Sequence, residues 1–437
     1  MNDIRVRVFI EGKPYAPSDV ENCREVIQAI KRKRIFNEAE SKFAMCGFLV
    51  VNDTPVVIFP KNYPIDDGEK ILSKKTIDEA RRLFLTFGLY RSRMSATSGW
   101  LHRLAYGMNE DEAEAITGIE EILYVLNDYR QNGYLVRRRK VISQTKPGRI
   151  AWSKTLHKTV PIVNHGQVAY TSPYMKSNVR HDEEMVQRIH RYLVYKFSHQ
   201  WGWLVDDIES EGTTLEPPCT PDEAIKYLSD ELTVCFVQRE IELLRCMRRY
   251  YMKMRGKNLE NKAEYMLTPE FEQIWQNVCG YVMDNVYASY KDNVPKAIFE
   301  PSQDMIQKDN VRYSAQTWSQ EPDILCKRDD GFYILDAKYY TDYRNLPKED
   351  IIKQFVYAYT IGSSEGIYVR GNALLLPGHY TSEESFTYLG DATVPHVDGF
   401  GKIQFWEMNV RKMLDAYNTG ICGCMAGEFF SKVEEKS

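Results

Sequence analysis

Pro322-Asp323-Ile324-Leu325-Cys326-Lys327 and Ile334-Leu335-Asp336-Ala337-Lys338-Tyr339-Tyr340 flank an Asp329-Asp330-Gly331 turn. An Asp-Gly turn between two runs rich in strand formers predicts a tight hairpin, because both turn positions tolerate positive φ. Strand periodicity then puts Ile334, Asp336 and Lys338 on one face, with the two polar groups about 7 Å apart along the backbone, and Leu335, Ala337 and Tyr339 on the other. Asp323 opens the partner strand, where it can converge on Asp336.

Two carboxylates and an ammonium gathered in this way suit one chemistry. Mg²⁺ takes hard oxygen ligands and is usually held by one or two carboxylates with water and phosphate oxygens, so Asp323 and Asp336 suffice as metal anchors, and Mn²⁺ can substitute. A bound divalent ion lowers the pKa of a coordinated water and stabilises charge on a phosphate, while Lys338 beside it can orient that water or help deprotonate it. The pattern implies metal-dependent phosphodiester hydrolysis. Asp-x-Lys by itself is common, and such a pair on a strand usually just meets solvent. The Pro-Asp opening, the turn and the apolar neighbours that would bury the charged face are what favour a site.

Pro322-Asp323 with Asp336-Ala337-Lys338 resembles the PD-(D/E)xK nuclease motif. Longer stretches resemble the LlaJI family of restriction endonucleases, relatives of McrC: Gly47-Phe48-Leu49 leading to the run from Val56 to Lys61, the run from Asn127 to Tyr134, and that from Gly148 to Thr155. This similarity spans most of the chain. It implies a nuclease subunit of a modification-dependent or sequence-specific restriction system that acts on double-stranded DNA beside a McrB-like AAA+ GTPase. It also implies that the N-terminal end engages that GTPase and stimulates it. No Walker-type Gly-x-x-x-x-Gly-Lys-Ser/Thr sequence occurs, so nucleotide hydrolysis falls to another chain.

Two helices are expected around the hairpin. Thr268-Pro269 supplies an N-cap and first helical position, followed by a stripe of Phe271, Ile274, Trp275, Val278 and Val282 at helical spacing. Glu270 and Glu272 lie on opposite flanks of the stripe, each about 100° from its centre, so periodicity does not choose between them. The family resemblance, with its acidic residue on the helix before the hairpin, favours Glu272. Both glutamates also suit a helix N-terminus for electrostatic reasons alone. Pro347 can open a second helix, with Ile351, Phe355 and Ala358 toward the core and Gln354 at the edge of the stripe, in reach of the site. Related nucleases often carry a tyrosine four residues after such a glutamine, and here that position is Ala358 between Tyr357 and Tyr359. Asn372 to Leu376 reads as the next buried strand.

A net charge of −4 does not advertise a DNA-binding protein, so positive charge must be clustered. Arg137, Arg138, Arg139 and Lys140 form the densest run, followed by Lys146, Arg149, Lys154 and Lys158. A helix from about 111 to 132 precedes them, and Lys146-Pro147-Gly148 turns one strand back to the next. That layout suggests a winged-helix-like DNA-binding module, against the simpler reading of a solvated hairpin. A second cluster, Arg245, Arg248, Arg249, Lys253 and Arg255, lies on a helical stretch from about 222 to 257 whose first half, with Leu228, Leu232, Cys235 and Phe236, is expected to pack inside.

At about 150 residues per domain, 437 residues suggest three domains. The expected divisions are a β-rich partner-binding region over 1–95, with strands at 5–10, 43–51 and 55–60 and a helix at 20–33, then a winged-helix-like and helical middle over 96–265, and a nuclease domain over 266–437. The fold class is α+β, ending in an α/β/α PD-(D/E)xK domain with a mixed sheet. No apolar run is long enough to span a bilayer, the start lacks a signal peptide, and nine scattered cysteines argue for reduced thiols in a cytoplasmic setting. Neither Cys422 with Cys424 nor the scattered histidines form a zinc-like set. The alternatives to an active endonuclease subunit are a catalytically inactive chain bridging DNA and the GTPase, and a free-standing repair or junction nuclease.

Overall fold

A computed structural model describes residues 5–16, 18–20, 36–37, 39–51, 54–71, 73–94, 119–136, 138–145, 148–165, 167–180, 185–205, 216–255, 264–268, 270–303, 307, 315–329, 331–364, 368–378, 384–396, 399 and 401–437. The chain forms two compact units, Met1–Glu114 with Ala263–Ser437, and Ala115–Lys262. The sequence predicts three regions, but the outer two belong to one unit.

The first unit begins with β1 (Arg5–Ile10), the short pair β2 (Phe36–Asn37) and β3 (Lys42–Phe43), β4 (Cys46–Val51), β5 (Thr54–Phe59), β6 (Gly68–Ile71) and α1 (Lys74–Met94). β4 and β5 fall where the sequence predicts strands and pair antiparallel, and β1 lies parallel to β5. Alternating apolar residues close one face of this sheet over a cluster that includes Phe9, Tyr15, Phe36 and Phe43. The helix expected at 20–33 lies outside the described residues, apart from Val20.

The second unit contains α2 (Ile119–Asn132), β7 (Arg138–Ser143), β8 (Arg149–Ile150), α3 (Trp152–Lys158), β9 (Ile162–Asn164), β10 (Gln167–Ala169), β11 (Met175–Arg180), α4 (Met185–Trp201), α5 (Pro221–Val234) and α6 (Gln238–Met254). β7 and β8 do not pair directly, because β11 lies between them. The single helical stretch expected from 222 to 257 is two helices. The break falls at Cys235–Val237, after Thr233 and Val234, where β-branched side chains lose rotamer freedom in a helix. α5 opens on a full capping box between Thr220 and Glu223, with Pro221 in the first turn. Leu228 is buried as expected, but Phe236, at the break, is 91% exposed. The basic cluster on α6 is largely matched within its own unit, with Arg245 on Glu242, Arg249 on Glu121 and Arg255 on Asp222.

The chain then returns to the first unit through β12 (Glu264–Thr268), which pairs antiparallel with β4 and completes the sheet order β12-β4-β5-β1-β6. That pairing is one physical link between the two ends of the chain. Next come α7 (Phe271–Val282), α8 (Tyr287–Tyr290), β13 (Lys296–Phe299), β14 (Gln316–Ser319), β15 (Ile324–Arg328), β16 (Gly331–Ala337), α9 (Lys348–Gly362), β17 (Val369–Gly378), β18 (Phe386–Thr393), β19 (Lys402–Asn409), α10 (Val410–Asn418) and α11 (Ala426–Glu435).

The sheet β15-β16-β17-β19-β18 is mixed. Its outer pairs are antiparallel and its inner pairs parallel. α9 covers one face, packing Tyr357 and Ile361 on Leu325, Phe332 and Ile334, and Phe355 on Leu374 and Ile403. On the other face, Phe430 of α11 stacks on Tyr333, and Phe271 and Trp275 of α7 pack on Tyr339 just beyond β16. This is the α/β/α arrangement that the sequence predicts. The apolar stripe of α7 is fully buried, and shortening Trp275 to Ala would cost about 3–5 kcal/mol. α7 starts later than expected. Thr268 ends β12 instead of capping the helix, its hydroxyl accepts from the Glu270 N–H at 3.1 Å, and Glu270 takes the N-cap position.

Candidate active site

The hairpin fixes the site by register. Arg328 pairs with Gly331 across a two-residue loop in which Asp329 takes φ +52°, and from there Ile324 falls opposite Leu335. One step further along the ladder sets Asp323 opposite Asp336. Asn285 clamps the start of β15, donating from its amide nitrogen to the Asp323 carbonyl at 3.0 Å and accepting from the Leu325 N–H at 3.1 Å. The Lys338 N–H donates to the Leu375 carbonyl at 2.9 Å, which extends the β16–β17 pairing past the end of the strand.

Lys338 Nζ lies 3.0 Å from Asp336 Oδ2, 3.9 Å from Asp323 Oδ2 and 3.9 Å from Asp350 Oδ1. Asp336 and Lys338 are buried, while the Asp323 and Asp350 side chains keep 20% and 23% of their surface, so solvent reaches the cluster from their side. Burial, then the hydrogen bond and charge of Asp336, push the Asp323 carboxyl well above the usual carboxylate range. Burial would lower the Lys338 ammonium, but Asp336 and Asp323 outweigh it and hold it above its ordinary value. The charges that the sequence places together on one face therefore do meet.

Other expected residues lie differently. Gln354 is buried, its amide donates to Asn372 Oδ1 at 2.7 Å, and its side-chain oxygen has no hydrogen-bond partner. Glu272 is exposed on α7, and its charge, after burial and Asp350, helps to raise the Tyr340 phenol two residues beyond Lys338. Glu270 acts instead on Tyr90 of α1. Arg138, Arg139 and Lys140 fall on β7, and Arg149 is exposed on β8. Arg137 and Lys146 lie outside the described residues, and nothing is described of the side chains of Arg138, Arg139 and Lys140.

Two neighbours of the site, Gln276 and Asp350, escape a reading by motif, and a third, Lys353, reads from sequence as a solvent or phosphate contact. Gln276, one turn after Glu272 on α7, approaches Asp323 Oδ2 at 3.4 Å. Asp350 sits in the first turn of α9, where an acid reads simply as a favourable partner for the helix dipole. Lys353 lies 5.2 Å from the centre of the Tyr357 ring, and its charge reaches Asp323. The only hint available was helical spacing: Gln276 follows Glu272 by four, and Asp350 precedes Gln354 by four.

The pair Asp323 and Asp336 suits a hard divalent cation, since two facing carboxylates relieve their repulsion by sharing a proton or by sharing a metal. No group of three or more His, Cys, Asp or Glu is placed to hold a metal among the described residues.

The family model for LlaJI restriction endonuclease matches residues 45–408. The chain belongs to this family. The type II restriction enzyme BsuMI component YdjA of Bacillus subtilis (strain 168) is 23% identical over 395 residues, covering 84% of this chain and 80% of that protein. A chain in an assembly of Thermococcus gammatolerans McrB AAA+ hexamers with bound McrC aligns over 95% of this chain and 98% of its own, with 11% identity and a TM-score of 0.35. A cryo-EM structure of the McrBC complex of the same organism aligns over 62% of this chain and 84% of that one, with 12% identity and a TM-score of 0.25. No helix among the described residues is long and apolar enough to cross a membrane.

Proposed function

We propose that this LlaJI-family chain is the Mg²⁺-dependent endonuclease subunit of a restriction complex, hydrolysing phosphodiester bonds of double-stranded DNA beside a McrB-like AAA+ GTPase. The observation that carries this reading is the convergence of Asp323, Asp336 and Lys338, with Lys338 Nζ within 3.9 Å of both carboxylates. Asp323 and Asp336 would hold the ion, with Glu272 as a further acid facing the same entrance. The metal, once bound, would polarise a scissile phosphate and make a coordinated water nucleophilic near neutral pH. Lys338, kept charged by its two acids, orients the attacking water and offsets charge that builds on the phosphate. Gln276 holds Asp323 in place, and Gln354 supports the strand from below by bridging to Asn372. The basic residues from Arg137 to Arg149 would contact the DNA backbone. The GTPase partner comes from the sequence resemblance, as does its engagement by the N-terminal region.

The test is cleavage by the reconstituted complex. Asp336→Ala and Lys338→Ala should each abolish cutting and leave assembly and GTP turnover intact. Undiminished cutting by either variant would overturn the assignment, and a wild-type chain that assembles but never cuts would leave the bridging role in its place.

A further inference from the structure

Residues 129–181 contain eleven Lys and Arg residues and not one Asp or Glu, in a chain with 61 acids among 437 residues. The same stretch carries a run of exposed apolar side chains. Trp152, Leu156, Val160, Ile162, Val163 and Val168 are each more than half exposed. They cluster on α3 and on the β9–β10 ribbon, where they share the surface with basic side chains of the same stretch, a combination that scattered single apolar residues do not make.

The geometry of this protrusion is well defined. α3 is fastened by one side only: the Tyr174 N–H donates to Thr155 Oγ1 at 2.9 Å, and the Ala151 N–H donates to the Tyr174 carbonyl at 2.6 Å. Ala151 and Thr155 are buried, and the rest of the helix faces water, with Trp152 and Leu156 along one edge and Lys154 and Lys158 along another. Beyond it, Val163 pairs with Val168 and Ile162 with Ala169 across a ribbon whose tight turn has His165 at φ +48°. Ile162 and Val163 point to opposite faces and both are exposed, so neither face of the ribbon packs on a core. A lone two-stranded ribbon gains little stability by itself.

We infer that α3 and the β9–β10 ribbon form a DNA-reading protrusion. Lys154 and Lys158 hold the phosphates of a duplex while the ribbon enters a groove and its valines pack on base edges. Charge complementarity selects this occupant. A stretch with no acid cannot discriminate among protein surfaces by mixed charge pairing, and lysine is depleted in the cores of protein interfaces. A polyanion needs what this stretch offers. The major groove admits a two-stranded ribbon, and apolar side chains there can contact the thymine methyl. The contrast with α6 supports the choice, because the arginines there that pair do so with acids of their own unit. The inference rests on the proposed DNA substrate but assigns its contact to a different element from the nuclease cluster.

The experiment measures binding of the full chain to a fluorescent 30-base-pair duplex, with Ca²⁺ in place of Mg²⁺ and across a salt series. Lys154→Ala/Lys158→Ala should weaken binding and reduce the slope of log affinity against log salt by about 2. Val163→Thr/Val168→Thr keeps strand propensity and charge, so it should weaken binding several-fold with the slope unchanged. Cleavage in Mg²⁺ is measured separately on the wild-type complex, so failure of the nuclease reading would appear there and not in the binding series. Wild-type affinity and slope in both double variants would overturn the inference. So would variants that bind DNA normally but no longer assemble with the AAA+ partner or with a second copy, since the protrusion would then be a protein-docking surface.

Discussion

The phenol of Tyr339 donates to the carboxylate of Glu11 at 2.8 Å, tying the residue next to Lys338 to the end of β1, 328 positions earlier in the chain. Lys61 completes the clamp. Its N–H donates to the same phenol oxygen at 2.8 Å, its Nζ donates to the Tyr339 carbonyl at 3.0 Å, and Asn62 donates to the carbonyls of Thr341 and Pro377. Burial pushes the Glu11 carboxyl up to about 7, against the opposing pull of Lys61 and the Tyr339 hydrogen bond. The N-terminal sheet therefore holds the backbone that carries the site lysine.

Removing the phenol oxygen tests the clamp. Tyr339→Phe keeps the ring between Phe271 and Trp275 but takes a donor from the buried Glu11, which should cost about 1–3 kcal/mol in denaturant unfolding. Cleavage should fall with little change in DNA affinity, because Lys338 loses positioning and no DNA contact is removed.

Metal binding should depend on the carboxylate pair. Asp323→Asn relieves the crowding of two acids, so the metal-free variant should be at least as stable as the wild type. Saturating Mn²⁺ should stabilise the wild type by about 2.7 kcal/mol at a hundred times its Kd and leave the variant unmoved. Thermal melts with and without Mn²⁺ read both effects, and equal stabilisation of the two proteins would remove Asp323 from the metal site.

Gln276 offers a finer probe. Gln276→Ala deletes the side chain that approaches Asp323 while leaving both carboxylates in place. Loss of an outer-shell partner typically costs 10–100-fold in metal affinity or activity, so cleavage should need correspondingly more Mg²⁺ and recover at high concentration.

The second unit should be acid-sensitive. His190 is buried on α4, its Nδ1 accepts from the Leu135 N–H at 3.0 Å, and burial lowers its pKa to about 4, with Asp128 opposing and Arg239 adding to the shift. An unfolded histidine titrates near 6.5, so as pH falls through about 6.5 the unfolded state takes up the proton first. Stability is then lost progressively down to about pH 4, by about 3 kcal/mol at most. Hydrogen exchange over residues 185–201, corrected for intrinsic rates, should show this slope in the wild type and a flatter one in His190→Gln.

The hairpin was legible because its information is local. A two-residue turn sets the register, and a period of two then determines which side chains share a face, so Asp323, Asp336 and Lys338 converge from sequence alone. The buried stripe of α7 was legible for the same reason. Gln276 and Asp350 were not. Whether a polar side chain on a helix flank reaches a site or turns beneath it depends on the angle at which that helix crosses the sheet, and packing sets that angle. Thr268 shows how such competition resolves, since a good cap sequence was drawn instead into a ladder with β4.

Alternation, turn chemistry and the order of residues within one hairpin determined the charged cluster and the strand that carries it, because neighbours along a chain need no distant contact to fix their geometry. Only the tertiary structure decided that residues 264–268 join the N-terminal sheet, that Glu11 and Lys61 brace Tyr339, and that β11 separates β7 from β8. Those pairings join segments far apart in sequence, and their free energy comes from burial and hydrogen bonds that exist only once both partners are folded.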